Sequence, residues 1–186
     1  MHQQGAPHEF GLELDARAAY DWLTSKKGTG VATTLAHSLS KAGTPPHALI
    51  LQAAFTSVGK VLFEYRLFET FPPFWLYSKL GVNEETVISR FRQKFNSLSR
   101  IADVKCPILI VVGSNDFEIP PIHSKQLFFA ALGKDPLALT DNIEKEAGIQ
   151  VRQVQHEATV YTQSSSSLVQ LVILLDANHN NCEFQI

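Results

Sequence analysis

An α/β fold built on a parallel sheet is what this sequence predicts, and three observations predict it. Three short runs are apolar on both faces and bounded by turn residues: ALILQAAF at 48–55, PILIVVG at 107–113 and LVQLVILLD at 168–176. Short apolar runs without alternation suit strands covered on both faces, as in parallel sheets. Parallel strands are therefore expected near 48–54, 107–112 and 168–175, in that sequential order, with helices packed on the sheet. Stretches with helical spacing precede and separate them, and such alternation of strand and helix marks α/β architecture. Finally, the length of 186 residues suits one domain, spanning 1–186.

The elements follow in order. Residues 1–14 are rich in turn formers and read as irregular. Asp15 is a good N-cap for ARAAYDWL, which places Ala16, Ala19, Tyr20 and Leu23 at helical spacing. A second helix is expected from Thr29 to Lys41, with Val31, Leu35, Ser38 and Leu39 on one stripe. Gly43 suits its C-terminal stop, and Pro45-Pro46 prevents continuation. The first strand comes next.

Segment 60–95 is rich in aromatics and broken by Pro72-Pro73, with a helix expected over Glu84–Phe95 behind an Asn83 cap. Phe63, Tyr65, Phe68, Phe71, Phe74, Trp75 and Tyr77 either fill the core or line an apolar substrate cleft. After the second strand, PIHSKQLFFAAL at 121–132 reads as a helix with proline in its first turn. The polar stretch 134–167 reads as an insertion or flexible loop, with a short helix at Asp141–Glu146 and a serine run, Ser164 to Ser167. The third strand closes the pattern.

Composition excludes several classes. Hydrophobic residues make up 45% and charged residues 18%, a globular balance. The net charge of −2 gives no electrostatic case for nucleic acid. Two cysteines, Cys106 and Cys182, suggest neither a disulfide framework nor a zinc site, and nothing points to a metal or cofactor. The start MHQQGAPHEF has no apolar run of a signal peptide, and no run approaches the ~20 residues that span a bilayer. No compartment follows from this.

Chemistry in open α/β sheets sits just past the carboxyl ends of the strands. Two such ends stand out, Gly113-Ser114-Asn115-Asp116-Phe117-Glu118-Ile119-Pro120 and Asp176-Ala177-Asn178-His179-Asn180. An acid after one strand and a histidine after the next follow the chain order of α/β-hydrolase triads, in which serine comes first. The histidine takes the serine proton, and the carboxylate fixes its tautomer and stabilises the imidazolium. Taken alone, an aspartate here also suits a turn or cap, and a lone histidine suits the surface.

DARAAYDWL, GTGVATTLA, PPHALILQAAFTSV, FNSLSRI, VKCPILIVVGSNDFEIP and ANHNN together resemble the α/β-hydrolase superfamily. The similarity is to the branch of membrane-associated monoacylglycerol and lysophosphatidylserine lipases, and it covers about residues 11–132 and 168–182. It implies Asp116 as triad acid and His179 as triad base. It also implies an acyl ester or lipid ligand, a serine hydrolase ancestry and membrane association in the family.

The resemblance fails at the nucleophile. The branch carries Gly-x-Ser-x-Gly before its Thr-Gly-Val-Ala-Thr, and Gly28 matches the last glycine. Two places before it stands Lys26, while Ser25 is one residue out of register. No apolar strand fits between Trp22 and Gly28, so roughly 10–20 residues of strand and loop are missing by typical element lengths. The strands expected before the DARAAYDWL helix, one of which leads to an oxyanion-hole loop, are not in the sequence either. An incomplete α/β-hydrolase fold is thus expected, with a remnant sheet of about three strands, one sheet edge open to self-association, and no activity in this form. The alternatives are a non-catalytic protein that binds acyl lipids or a partner, and an enzyme using Ser25, Ser57 or Cys182.

Overall fold

The computed structural model describes residues 29–57, 59–61, 95–137, 143, 148–155, 157–164, 166–179 and 181. The expected helix at 15–26, the Lys26–Gly28 junction, the aromatics from Phe63 to Tyr77, the helix from Glu84 and Cys182 lie outside these residues. So does the short helix at 141–146, apart from Ile143, which is buried in the core.

In chain order the elements are α1 (Thr29–Lys41), β1 (Leu49–Gln52), α2 (Leu98–Ile101), β2 (Ile108–Gly113), α3 (Pro121–Ala131), β3 (Ile149–Val154), β4 (Ala158–Gln163) and β5 (Ser166–Leu174). One sheet joins the five strands in the order β1-β2-β5-β4-β3. The three expected strands are β1, β2 and β5, and they pair in parallel in the expected order. Leu51 sits opposite Ile110, and Ile110 opposite Leu171.

The sheet is mixed and larger than the remnant of three strands. The loop expected through 134–167 instead contains β3 and β4, which add to β5 in antiparallel fashion. Of the serine run, expected as a flexible loop, Ser166 and Ser167 instead belong to β5, and Ser166 pairs with Gln163 of β4. These two strands escaped the apolar-run criterion because β3 is an edge strand with five of its six residues exposed. Antiparallel strands at an edge need no continuous apolar run.

The main core lies on one face of the sheet. Leu49 and Leu51, Ile108, Ile110 and Val112, and Leu171 and Ile173 pack there with Ile101, Leu127 and Phe128 from the helices. The opposite face carries a smaller buried cluster of Val111, Ala158, Leu174 and Ala177. β1 is less enclosed than its composition predicts, since Ile50 on that face is 67% exposed. It stands at one end of the strand order.

Helix α1 has the expected bounds but a different inward face. Gly30, Thr33, Thr34, Leu35, Ala36 and Ser40 are buried, whereas Val31, Ser38 and Leu39 of the expected stripe are half-buried. Its buried hydroxyls bond back to carbonyls four residues earlier, Thr34 to Gly30 at 2.9 Å and Ser40 to Ala36 at 2.7 Å. Such back-bonding lets small polar residues enter a core without an orphaned donor. Two further contacts use the same atoms. Arg100 in α2 donates to Thr34 Oγ1, and the Lys105 amide donates to Ser40 Oγ.

Gly43 ends α1 as expected. Its φ is +79°, and the Thr44 amide reaches the Leu39 carbonyl at 3.0 Å while the Gly43 amide reaches Ser40 at 3.2 Å. This pair of bonds is the Schellman closure. A Cβ at Gly43 would meet nothing within 4 Å, so only the left-handed backbone penalises a side chain. Gly43→Ala should therefore cost about 1 kcal/mol, with Gly43→Asn costing less. Urea midpoints for the two variants check this, and equal stability of Ala and wild type would show that the cap contributes nothing.

One buried polar contact ties the segment after β1 to α3. His123 is fully buried, and its Nδ1 lies 2.9 Å from Thr56 Oγ1. The proline start of α3 is as expected, with Pro121 as its first residue.

Candidate functional site

Strands β2 and β5 are adjacent and parallel, so the loops leaving their carboxyl ends are neighbours. That adjacency brings together two residues 63 positions apart. His179 Nδ1 lies 2.9 Å from Asp116 Oδ2. A carboxylate only accepts, so Nδ1 carries the proton and Nε2 is the nitrogen that can exchange one.

Asp116 is held from three sides. Its side chain is 0% exposed. Oδ1 accepts the amides of Glu118 at 3.1 Å and Ile119 at 2.8 Å, while Oδ2 accepts from His179. A buried carboxylate is tolerable only with such partners. The turn that carries it is local, since Asp, Asn and Ser bond readily to the backbone just ahead.

The His179 loop is fastened to the Asp116 loop by backbone. The Ser114 amide donates to Leu174 at 2.8 Å and the Asn115 amide to Ala177 at 2.9 Å. The Asp176 amide donates to Ser114 Oγ at 3.0 Å. Asn178 and Asn181 close the turn around His179 by exchanging amide-to-side-chain bonds at 2.6 and 3.1 Å. Asp176 itself takes a φ of +58°, a conformation that aspartate accepts more readily than most residues.

Gly113 makes this close approach feasible. A Cβ there would lie 2.3 Å from the Ala177 carbonyl oxygen. Sequence inspection marks Gly113 only as a strand terminus; its contact with a loop more than 60 residues away has no local signal. The same holds for Ser114 and Asn115. Asn178 and Asn181 flank His179 visibly in ANHNN, and that Asn-rich turn is the one cue that could have been used.

No spacing or motif in the sequence marks Glu118 either. Its Oε2 lies 3.9 Å from His179 Nε2, so the histidine has a carboxylate on each ring nitrogen. Of the alternative nucleophiles, Ser57 is described, and its Oγ accepts the Lys60 amide at 3.2 Å as a turn cap. Burial pushes the Cys106 thiol up, so it remains protonated at neutral pH. Among the described residues no cluster of three or more His, Cys, Asp or Glu could hold a metal ion. No helix among them is long and apolar enough to cross a membrane.

An acid and a histidine joined at the carboxyl ends of neighbouring parallel strands, with helices packed on the sheet, place this chain in a class: it belongs to the α/β-hydrolase superfamily. Its relatives are more particular. It is 30% identical over 143 residues to lysophosphatidylserine lipase ABHD12 of Danio rerio, an alignment covering 67% of this chain and 35% of the relative. Protein ABHD12B of Homo sapiens is 27% identical over 139 residues, covering 67% of this chain and 37% of the relative. A third relative, the uncharacterized protein MT2364 of Mycobacterium tuberculosis, is 30% identical over 139 residues, covering 68% and 43%. This chain thus spans about a third of the length of the two animal relatives. No family model matches it.

Proposed function

We propose that this chain carries the acid–base half of a lipid-ester hydrolase site, Asp116 as acid and His179 as base, without the serine that would complete it. The observation that carries the proposal is the 2.9 Å contact between a fully buried carboxylate and the histidine at the sheet edge. In this assignment Asp116 holds the tautomer with Nδ1 protonated and stabilises the imidazolium once Nε2 has taken a proton. The substrate class is an acyl ester of the lysophospholipid or acylglycerol type, and the relatives named as lysophosphatidylserine lipases support the first of these.

The missing partner is a matter of sequence. No Gly-x-Ser-x-Gly occurs in the chain, and Lys26 stands where the alignment of motifs requires serine. A lysine in that place has no hydroxyl for a histidine base to activate, so it cannot form the acyl-enzyme that serine forms. The chain therefore binds without turning over, or binds nothing. An enzyme using Ser25, Ser57 or Cys182 as nucleophile is the less favoured route; of these, Ser57 has its Oγ engaged by the Lys60 amide as a turn cap.

A fluorophosphonate probe should leave the purified chain unlabelled. Lysophosphatidylserine or monoacylglycerol, added below the concentration at which it forms micelles, should raise its melting temperature if the lipid site persists. Stoichiometric labelling that disappears in His179→Ala would overturn the absence of a nucleophile and make the chain an active enzyme, with His179 still its base.

A further inference from the structure

We propose that Glu118 is a positioning residue for His179, holding its imidazolium form through Nε2 and so setting the pH at which a free base appears. The inference rests on the assignment of Asp116 and His179 as an acid–base pair. Among the described residues the charged groups within ion-pair distance of His179 are two carboxylates, Asp116 at Nδ1 and Glu118 at Nε2. The exposed Asp176 stands three residues earlier on the same loop.

The placement of Glu118 is built into the turn. Asp116 Oδ1 accepts the Glu118 amide, and then the Ile119 amide, before Pro120 leads into α3. Asp116 thereby pins the backbone of the second carboxylate while bonding the ring itself. Glu118 is 45% exposed and His179 23% exposed, so the second contact is wetter than the first and can be broken.

Nε2 is the nitrogen that must accept a proton from a nucleophile. While it is protonated, it faces Glu118, and the ring is held between two anions. An opposite charge nearby favours the charged form, so the proton leaves at higher pH than it would beside Asp116 alone. Once it leaves, Glu118 loses its partner and Nε2 becomes an acceptor.

An NMR titration of the full chain tests this, with the His179 signals identified by their loss in His179→Gln. Glu118→Gln should lower the His179 midpoint by about half a pH unit at physiological salt, the effect of a screened charge at this distance. Glu118→Asp should retain part of the wild-type value, and the difference between wild type and Gln should shrink in 1 M salt. If Glu118→Gln titrates like wild type while Asp116→Asn does not, Glu118 has no such role and the acid–base pair still stands. If Asp116→Asn also leaves the midpoint unmoved, the pair itself fails, and the proposal fails with it.

Discussion

Gly113→Ala is expected to destabilise the chain by roughly 2–3 kcal/mol, the upper part of the usual range for overpacking, and to part His179 from Asp116. The new Cβ would fall 2.3 Å from the Ala177 oxygen, 2.6 Å from its carbonyl carbon and 3.1 Å from the Asn178 nitrogen. All three are backbone atoms, so no side chain can swing aside. Ala177 is itself fully buried, and the strands on either side are paired to the last residue, Gly113 with Leu174. The loop must therefore lift, straining the amide bonds from Asn115 to Ala177 and from Ser114 to Leu174. A urea melt measures the stability, and a His179 titration reports the pairing. An unchanged melt together with an unchanged titration would show that the two loops are not in the contact described.

The other large effect is expected at Asp116, where alanine and asparagine should separate. Asp116→Ala leaves two backbone amides and His179 Nδ1 without their acceptor. Buried donors stripped of a partner cost about 1–3 kcal/mol each. Allowing for entry of water, a total near 3–4 kcal/mol is expected. Asparagine keeps Oδ1 and its two amide bonds, but puts an NH2 donor where Oδ2 accepted from His179, so it loses both the charge and the acceptor for Nδ1–H. It should recover more than half of the stability while still shifting the His179 titration. Equal destabilisation by Ala and Asn would mean that Oδ1 does not organise the turn. Full stability of the alanine variant would mean that the buried carboxylate is not bonded as described.

The expected strands at 48–54, 107–112 and 168–175 became β1, β2 and β5 because each is short, apolar and stopped by turn formers. Helix 121–132 was legible from its proline start, and the end of α1 from Gly43. The inward face of α1 was not, because a hydropathy stripe cannot foresee threonines and serines that satisfy their hydroxyls within the helix. β3 and β4 were not legible either. Residues such as Gln150, Arg152 and Gln153, on the edge strand β3, read as loop until the neighbouring β4 gives their backbone a partner.

The sequence by itself determined the strand-forming segments and the place of Asp116 and His179 just past two strand ends. These follow from local composition, turn chemistry and spacing. Only the tertiary structure decided that β2 and β5 are neighbours, that Gly113 lies against Ala177, and that Glu118 faces the second nitrogen of His179. Each of those is a distance between residues remote in the chain or a direction of a side chain. Such quantities exist only once the sheet has set its strand order and register.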